Sequence, residues 1–238
     1  MKAIIIAAGL GTRIPQITKK KPKCLIRINN QTLIKRQIDF FRSLNINKIA
    51  VVKGFMKNKI NYKSITYFDN KNYKKNEQLD SLFCAKKFFN DDIIVCFSDI
   101  IYEKKILNKI IKTKKDLSVA VDKKWKNRYL KRFDHPFSQA DKVISKNGKV
   151  LKIGKNILTS KSNGEFLGIF KFSKVIAPIL IKNYIKIKKT YSSNSLQMHD
   201  FFNYLIKKKI TIYSSYVKGK YMEIDTFNDY QIAKRKFK

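Results

Sequence analysis

The stretch Met1–Ile28, MKAIIIAAGLGTRIPQITKKKPKCLIRI, decides the fold. Ala3 to Ala8 reads Ala-Ile-Ile-Ile-Ala-Ala, an unbroken apolar run rich in β-branched residues. Such a run suits a parallel strand covered on both faces. Gly9, Gly11, Thr12 and Arg13 follow at once. Two glycines at the carboxyl end of a first parallel strand let backbone N–H groups come close to a phosphate. Arg13 and then Pro22-Lys23 add fixed positive charge. Strand, Gly-rich turn and cations together read as a cradle for nucleotide phosphates.

What is missing narrows the kind of cradle. A dinucleotide fingerprint needs a third glycine where Ile14 stands, and an acidic residue about 20 positions on that is also absent. The P-loop pattern G-x-x-x-x-G-K-[ST] occurs nowhere in the chain. What stands here is Gly9-x-Gly11-Thr12-Arg13 followed by Pro22-Lys23. This closely resembles the signature of the nucleotidyltransferase superfamily that makes nucleotide-diphosphate sugars and cytidylylated small molecules.

At 238 residues the chain is long enough for a large α/β domain with a real core, and no apolar run approaches a membrane span. Cys24, Cys84 and Cys96 are odd in number and lack C-x-x-C spacing, so they read as reduced, buried residues. A cytoplasmic location, as monomer or homodimer without a membrane partner, is the expectation. The formal charge of +36 raises the question of nucleic acid. The lysines, however, run from Lys2 to Lys238 without forming one patch, and no helix-turn-helix, zinc-ligand set or RNA-binding signature accompanies them. Nucleic acid is therefore not the expected partner; a positive field also gathers anionic nucleotides and phosphorylated acceptors.

Along the chain, strands are expected at Leu25 to Ile28, Ile49 to Val52, Ile65 to Phe68, Ile93 to Phe97, Leu117 to Val121, Phe166 to Phe172 and Ile210 to Tyr216. Helical periodicity marks Leu33 to Leu44, Asp80 to Phe89, the surroundings of Ile106 to Ile111, and Leu196 to Lys208. Ser173 opens another helix to about Tyr184, with Pro178 expected to bend or shorten it. Asp122 to Ala140 has no clean period and reads as a long loop. Val143 to Ser145, Asn147-Gly148 and Lys149 to Ile153 read as a hairpin with a type I′ turn. Thr226 to Asp229 is a capping box for the last helix. Alternation of strand and helix argues for an α/β protein with a Rossmann-like, doubly wound, mostly parallel (mixed) sheet and a small β-hairpin/loop insertion. One domain over 1–238 is expected, with residues 122–172 as its acceptor-side insertion.

Nucleotidyl transfer develops charge on the α-phosphate and on departing pyrophosphate, and a divalent ion that neutralises it needs carboxylate ligands. Asp99 ends a strand at the sheet's carboxyl edge, where ligands of open α/β sheets bind. The resemblance implies that Asp99, in Phe97-Ser98-Asp99-Ile100, and Asp225, in Glu223-Ile224-Asp225, hold Mg²⁺. Lys23 is assigned to the α-phosphate and the acceptor phosphate, and Arg13 to the β- and γ-phosphates. An acceptor phosphate or phosphonate is already ionised at pH 7, so no general base is needed, and His135 and His199 are read as surface or packing residues.

The N-terminal motif, Ser81-Leu82, the Asp99 strand, Asp122-Lys123-Lys124-Trp125 and the Glu-Ile-Asp segment together look like the cytidylyltransferase branch. That branch acts on phosphocholine, 2-aminoethylphosphonate and phosphoglutamine. The resemblance implies CTP, with Ala8 and Gly9 backbone groups, Gly11, Thr12, Arg13 and Ser81 binding the nucleotide. Candidate acceptor residues are Glu77, Asp122, Lys123, Trp125, Arg132, Glu165 and Glu223. Glu77 stands where the resembling sequences carry Asn, and it pairs with an ammonium group or is a solvated residue at a helix start. Trp125 covers the acceptor or anchors the insertion. A sugar-1-phosphate nucleotidylyltransferase using UTP or dTTP is the alternative within enzymes, and a basic nucleic-acid-binding protein is the alternative outside them.

Overall fold

The computed structural model describes residues 1–191 and 195–237. The first half of the chain contains β1 (Lys2–Ala7), α1 (Pro15–Thr18), β2 (Arg27–Ile28), β3 (Gln31–Thr32), α2 (Leu33–Arg42), β4 (Ile49–Lys53), β5 (Thr66–Asp69), α3 (Gln78–Cys84), β6 (Ile93–Phe97), β7 (Ile100–Tyr102), α4 (Lys104–Ile111) and β8 (Leu117–Asp122). The second contains α5 (Lys126–Tyr129), β9 (Lys142–Lys146), β10 (Lys149–Gly154), β11 (Gly164–Phe172), α6 (Ala177–Thr190), α7 (Met198–Lys207), β12 (Tyr213–Tyr216), β13 (Tyr221–Glu223) and α8 (Phe227–Lys236).

Nine strands form one mixed sheet in the order β5-β4-β1-β6-β11-β8-β12-β10-β9. β5, β4, β1 and β6 are mutually parallel, as are β8 and β12, whereas β11 runs antiparallel to both β6 and β8. β9 also pairs with β11, so the hairpin curls back to the sheet. The apolar run of β1 explains its place: alternate side chains of a strand point to opposite faces. Ile4 and Ile6 enter one core with α3, α6 and α7, and Ala3 and Ile5 enter another with α2 and α4. A strand in the middle of two cores has no polar face, and β1 has none.

Several sequence expectations are corrected. Pro178 does not bend its helix; α6 begins at Ala177, so Pro178 lies in the first turn, where its missing N–H breaks no bond. The helix then runs to Thr190, past Tyr184. Ser173 instead accepts from the Ile176 N–H just ahead of it. Asp122 to Ala140 is not a bare loop but holds α5 and a single turn at Phe137–Gln139. Leu25–Ile28 is mostly a turn over Lys23–Leu25, leaving only two residues of strand. The hairpin and the capping box match expectation, with positive φ at Asn147 and Gly148 and reciprocal bonds between Thr226 and Asp229.

Gly168 carries the irregularity that lets β11 fit between β6 and β8. The register with β8 shifts between Phe166 and Phe170, and Gly168 adopts φ +66. A Cβ there would lie 2.9 Å from the Phe97 ring. Gly168→Ala should therefore destabilise the protein by about 1–3 kcal/mol, read as a lower urea midpoint; an unchanged midpoint would contradict this account of the bulge.

His199, on α7, fastens that helix to the hairpin region through an ion pair with Asp141, Nδ1 to Oδ1 2.9 Å. Burial lowers its pKa, but Asp141 outweighs burial and the net shift is upward. A raised histidine pKa stabilises below the unfolded value near 6.5 and is lost as pH rises through the folded value. His199→Ala should thus lower thermal stability at pH 6 and change it little at pH 9. Equal losses at both would reduce His199 to packing.

Candidate active site

The loop after β1 takes its shape from two residues. Gly11 has φ +68, which an L side chain rarely adopts. Thr18, one turn later, points its hydroxyl at the carbonyls of Gly11 and Ile14, both at 2.8 Å. Pro22, in extended geometry, then starts the tight turn that drives Lys23 inward until only 9% of the residue is exposed.

The Lys23 ammonium lies between two carboxylates from distant parts of the chain. It donates to Asp99 Oδ2 at 3.0 Å and to Asp225 Oδ1. Burial alone would lower its pKa; Asp99, Asp225 and Glu223 outweigh that and hold it above the usual lysine range. Asp225 is 2% exposed and also meets Arg13, Nη1 to Oδ2 2.7 Å. Burial would raise the Asp225 pKa, but Lys23 and Arg13 turn the shift downward. Glu223 goes the other way: burial, with Asp225 and Asp99 nearby, pushes it well above the carboxylate range. Three carboxyl groups thus converge where a sequence reading had put two, since Glu223 belongs to this cluster as well as to the cavity.

Asp225 is held by residues that spacing did not reveal. Asp229 accepts from the N–H groups of Asp225 and Thr226, at 3.1 and 3.0 Å. Arg132 donates to Asp229 from Nε at 2.6 Å, and from Nη2 to the Glu223 carbonyl at 3.2 Å. Burial notwithstanding, bonds from His135 and Arg132 hold Asp229 well below the carboxylate range. His135 is 2% exposed beside Asp225, so it is not a surface residue. Only the capping box could have signalled Asp229; Arg132 and His135 reach it from the 122–140 segment, across sequence distances that no local pattern encodes.

A cavity of about 310 Å³ opens along this cluster. Ala8 to Arg13 and Lys23 form one wall, Tyr73, Asn76, Glu77, Gln78 and Ser81 another, and Asp99 and Glu223 the end. Ala8, Gly9, Gly11, Thr12, Arg13, Lys23, Ser81, Asp99, Glu77 and Glu223 therefore line one cavity, while Asp225, almost wholly buried, lies behind Lys23 and Arg13. Ser81 is partly committed: its hydroxyl accepts from Asn70 at 2.9 Å and donates to the Glu77 carbonyl at 3.2 Å.

The remaining acceptor candidates are elsewhere, each for a physical reason. Trp125 is 1% exposed, packed edge-on against Tyr129 and Phe137, and so anchors its segment instead of covering a ligand. Asp122 and Glu165 face each other across β8 and β11 and are both taken by Arg128, with Tyr129 also on Glu165. Arg132 is spent on Asp229. The Lys123 ammonium lies 4.0 Å from the centre of the Tyr216 ring. None of these five lines the cavity.

A divalent cation fits the residues present. Asp99 Oδ1 is buried and accepts no hydrogen bond, an expensive state that a cation would relieve. His135, Glu223 and Asp225 each offer a ligand atom within 4.8 Å of the other two, and Asp99 is joined to Asp225 through Lys23; carboxylate oxygens are the hard donors that such an ion takes.

The MobA-like NTP transferase domain family matches residues 3–160. The CTP:phosphoglutamine cytidylyltransferase of Campylobacter jejuni is 31% identical, covering 98% of this chain and 98% of its own. The choline-phosphate cytidylyltransferase of Streptococcus pneumoniae is 45% identical over a shorter region, 26% of this chain and 27% of its own. Among solved structures, a CTP:phosphocholine cytidylyltransferase of Streptococcus pneumoniae superimposes with TM-score 0.76 at 21% identity, over 100% of this chain and 99% of the other. A glucose-1-phosphate thymidylyltransferase from Bacillus anthracis gives 0.77 at 19%, over 99% and 94%. These last two likenesses show the Rossmann-like fold. With its match over residues 3–160 and its full-length relative, the chain belongs to the MobA-like NTP transferase family and is a nucleotidyltransferase.

Proposed function

We propose that the protein is a Mg²⁺-dependent cytidylyltransferase, joining CTP to a small phosphate- or phosphonate-bearing acceptor of the phosphoglutamine, aminoethylphosphonate or phosphocholine type. The observation that carries this reading is Lys23, paired with Asp99 and Asp225, lining with Asp99 a cavity walled by the glycine loop. The relatives named above, which act on CTP and phosphorylated acceptors, support the choice of nucleotide over UTP or dTTP.

An acceptor oxygen attacks the α-phosphorus, forming a new P–O bond as the bond to the β-phosphate bridge breaks and pyrophosphate leaves. Asp99 and Asp225, with Glu223 beside Asp225, would hold the Mg²⁺, which would supply charge neutralisation and orientation. Arg13, more than half exposed and able to leave Asp225, takes the β- and γ-phosphates. Lys23 exchanges its carboxylate partners for the α-phosphate and acceptor oxygens, offsetting repulsion between two anions. Because the nucleophile is already ionised, the buried His135 has no proton to remove; its Nδ1 accepts from Arg132 Nη2 at 2.9 Å beside Asp225 and Asp229, and so helps to fix the guanidinium that holds Asp229.

Pyrophosphate release with Mg²⁺, each of five nucleoside triphosphates and a panel of phosphonate, phosphocholine, phosphoglutamine and sugar 1-phosphate acceptors tests the reading. CTP with a non-sugar acceptor is the expected pair; release only with UTP or dTTP and a sugar 1-phosphate would overturn it. Asp99→Asn should keep the circular dichroism spectrum and lose at least 100-fold in turnover, about 2.7 kcal/mol of barrier. Lys23→Ala should depress turnover more than CTP affinity, and an unchanged rate would remove Lys23 from the chemistry.

A further inference from the structure

We infer that the outward face of α6 docks the protein on an anionic lipid bilayer. The activity proposed above neither requires this contact nor is changed by it.

From Phe166 to His199 the chain has no acidic residue, while six lysines fall within it: Lys171, Lys174, Lys182, Lys186, Lys188 and Lys189. Carboxylates from other elements reach only part of this stretch. Near the start of α6, Asp92 pairs with Lys171 at 3.7 Å and accepts from the Lys174 N–H, and Asp116 accepts from the Ser173 hydroxyl. Farther along, the buried Asp80 takes Lys188 at 3.1 Å and the Tyr184 hydroxyl. Lys182, Lys186 and Lys189 are exposed and make no ion pair among the described residues.

Helix geometry puts those three on one side, since residues three and four apart share a face. α6 buries Ala177, Leu180 and Ile187 in the core it shares with α3 and α7. The opposite arc carries Pro178, Ile179, Lys182, Ile185, Lys186 and Lys189, all exposed. Ile179 and Ile185 are 46% and 47% exposed, and Val175, just ahead of the helix, is 69%. A surface helix of a globular protein ordinarily keeps the side opposite its apolar stripe polar. Here aliphatic side chains stand among unpaired ammonium groups along about 21 Å of helix.

That mixture selects the occupant. Nucleic acid would use the lysines and leave the isoleucines without a partner, and the face offers no aromatic ring or guanidinium on which a base could stack. The cores of protein interfaces are depleted in lysine and enriched in aromatic residues, the reverse of this face. A second copy of the chain would bring the same three cations to a two-fold contact and be repelled. A bilayer with anionic headgroups uses both components. Its phosphates attract the ammonium groups, and the aliphatic side chains enter the boundary between headgroups and acyl chains, with the lysine stems lying along them. No helix among the described residues is long and apolar enough to cross a membrane, and a surface contact needs none. None of the exposed residues of this arc lines the nucleotide cavity.

Sedimentation of the full-length protein with vesicles tests the inference, using mixed phosphatidylglycerol and phosphatidylcholine or phosphatidylcholine alone at physiological salt. The wild type should pellet with the first and stay in solution with the second. Lys182→Gln/Lys186→Gln/Lys189→Gln should lower the partition coefficient at least 10-fold. Lys109→Gln/Lys112→Gln/Lys114→Gln removes as much charge from exposed positions on and after α4, which packs in the other core, and should lower it less than threefold. Ile179→Asn/Ile185→Asn, with every charge kept, should lower it at least fivefold. All three variants should keep the circular dichroism spectrum, because the substituted side chains are exposed. Equal losses from the two lysine variants would reduce the binding to net charge and overturn the inference. Full binding by the isoleucine variant, or a wild type that never pellets, would overturn it too. Binding to double-stranded DNA that exceeds binding to vesicles and is lost with the α6 lysines would give the face to nucleic acid instead.

Discussion

The ammonium of Lys23 is the point on which the site depends. It joins the loop after the first strand to a carboxylate at the end of β6 and to another just ahead of the last helix. Asp225 is almost wholly buried, and a buried carboxylate without a partner costs several kcal/mol. The same arrangement that makes the site chemically useful therefore also makes it expensive to leave incomplete. In the resting structure Lys23 is the counter-ion of both carboxylates; under the proposed function it would exchange them for phosphate oxygens, with the carboxylates then free to hold a cation.

Support for this point comes from outside the glycine loop. Arg132, on the segment after β8, holds Asp229, which holds the backbone of Asp225. Trp125, Tyr129 and Ala140 form a small core of their own beneath that segment. The 122–140 stretch thus contributes to the site by anchoring and orienting carboxylates. Arg128 does the same on a neighbouring pair, closing Asp122 and Glu165 with one guanidinium.

The glycine loop, the parallel strands and the Asp99 position were legible because each is local. An apolar run, a Gly-x-Gly turn and a carboxylate at a strand's end need no knowledge of distant residues. The capping box was legible for the same reason, although its second duty, fixing Asp225, was not. Asp122, Arg132 and Glu165 were read as ligand-facing, yet each has an internal partner, because residue type and neighbourhood say nothing about one; Trp125 anchors its segment, one of the two roles its sequence position left open. A carboxylate facing a ligand and one facing Arg128 look alike in one dimension. Pro178 misled differently, since a proline breaks a helix interior but suits its first turn, and the distinction rests on where the helix starts.

The separation of Lys23 from Asp225 along the chain has a consequence for synthesis. A polypeptide leaving the ribosome presents β1 and its cationic loop first, and the carboxylate that closes the loop arrives some 200 residues later. Until then the glycine loop has two cations and only Asp99 to balance them, and the β13–β7 pair that carries Glu223 beside Asp99 cannot form. The nascent chain can therefore assemble most of its parallel sheet while remaining unable to transfer a nucleotide. The cluster is complete only when the segment that carries Glu223 and Asp225 is in place.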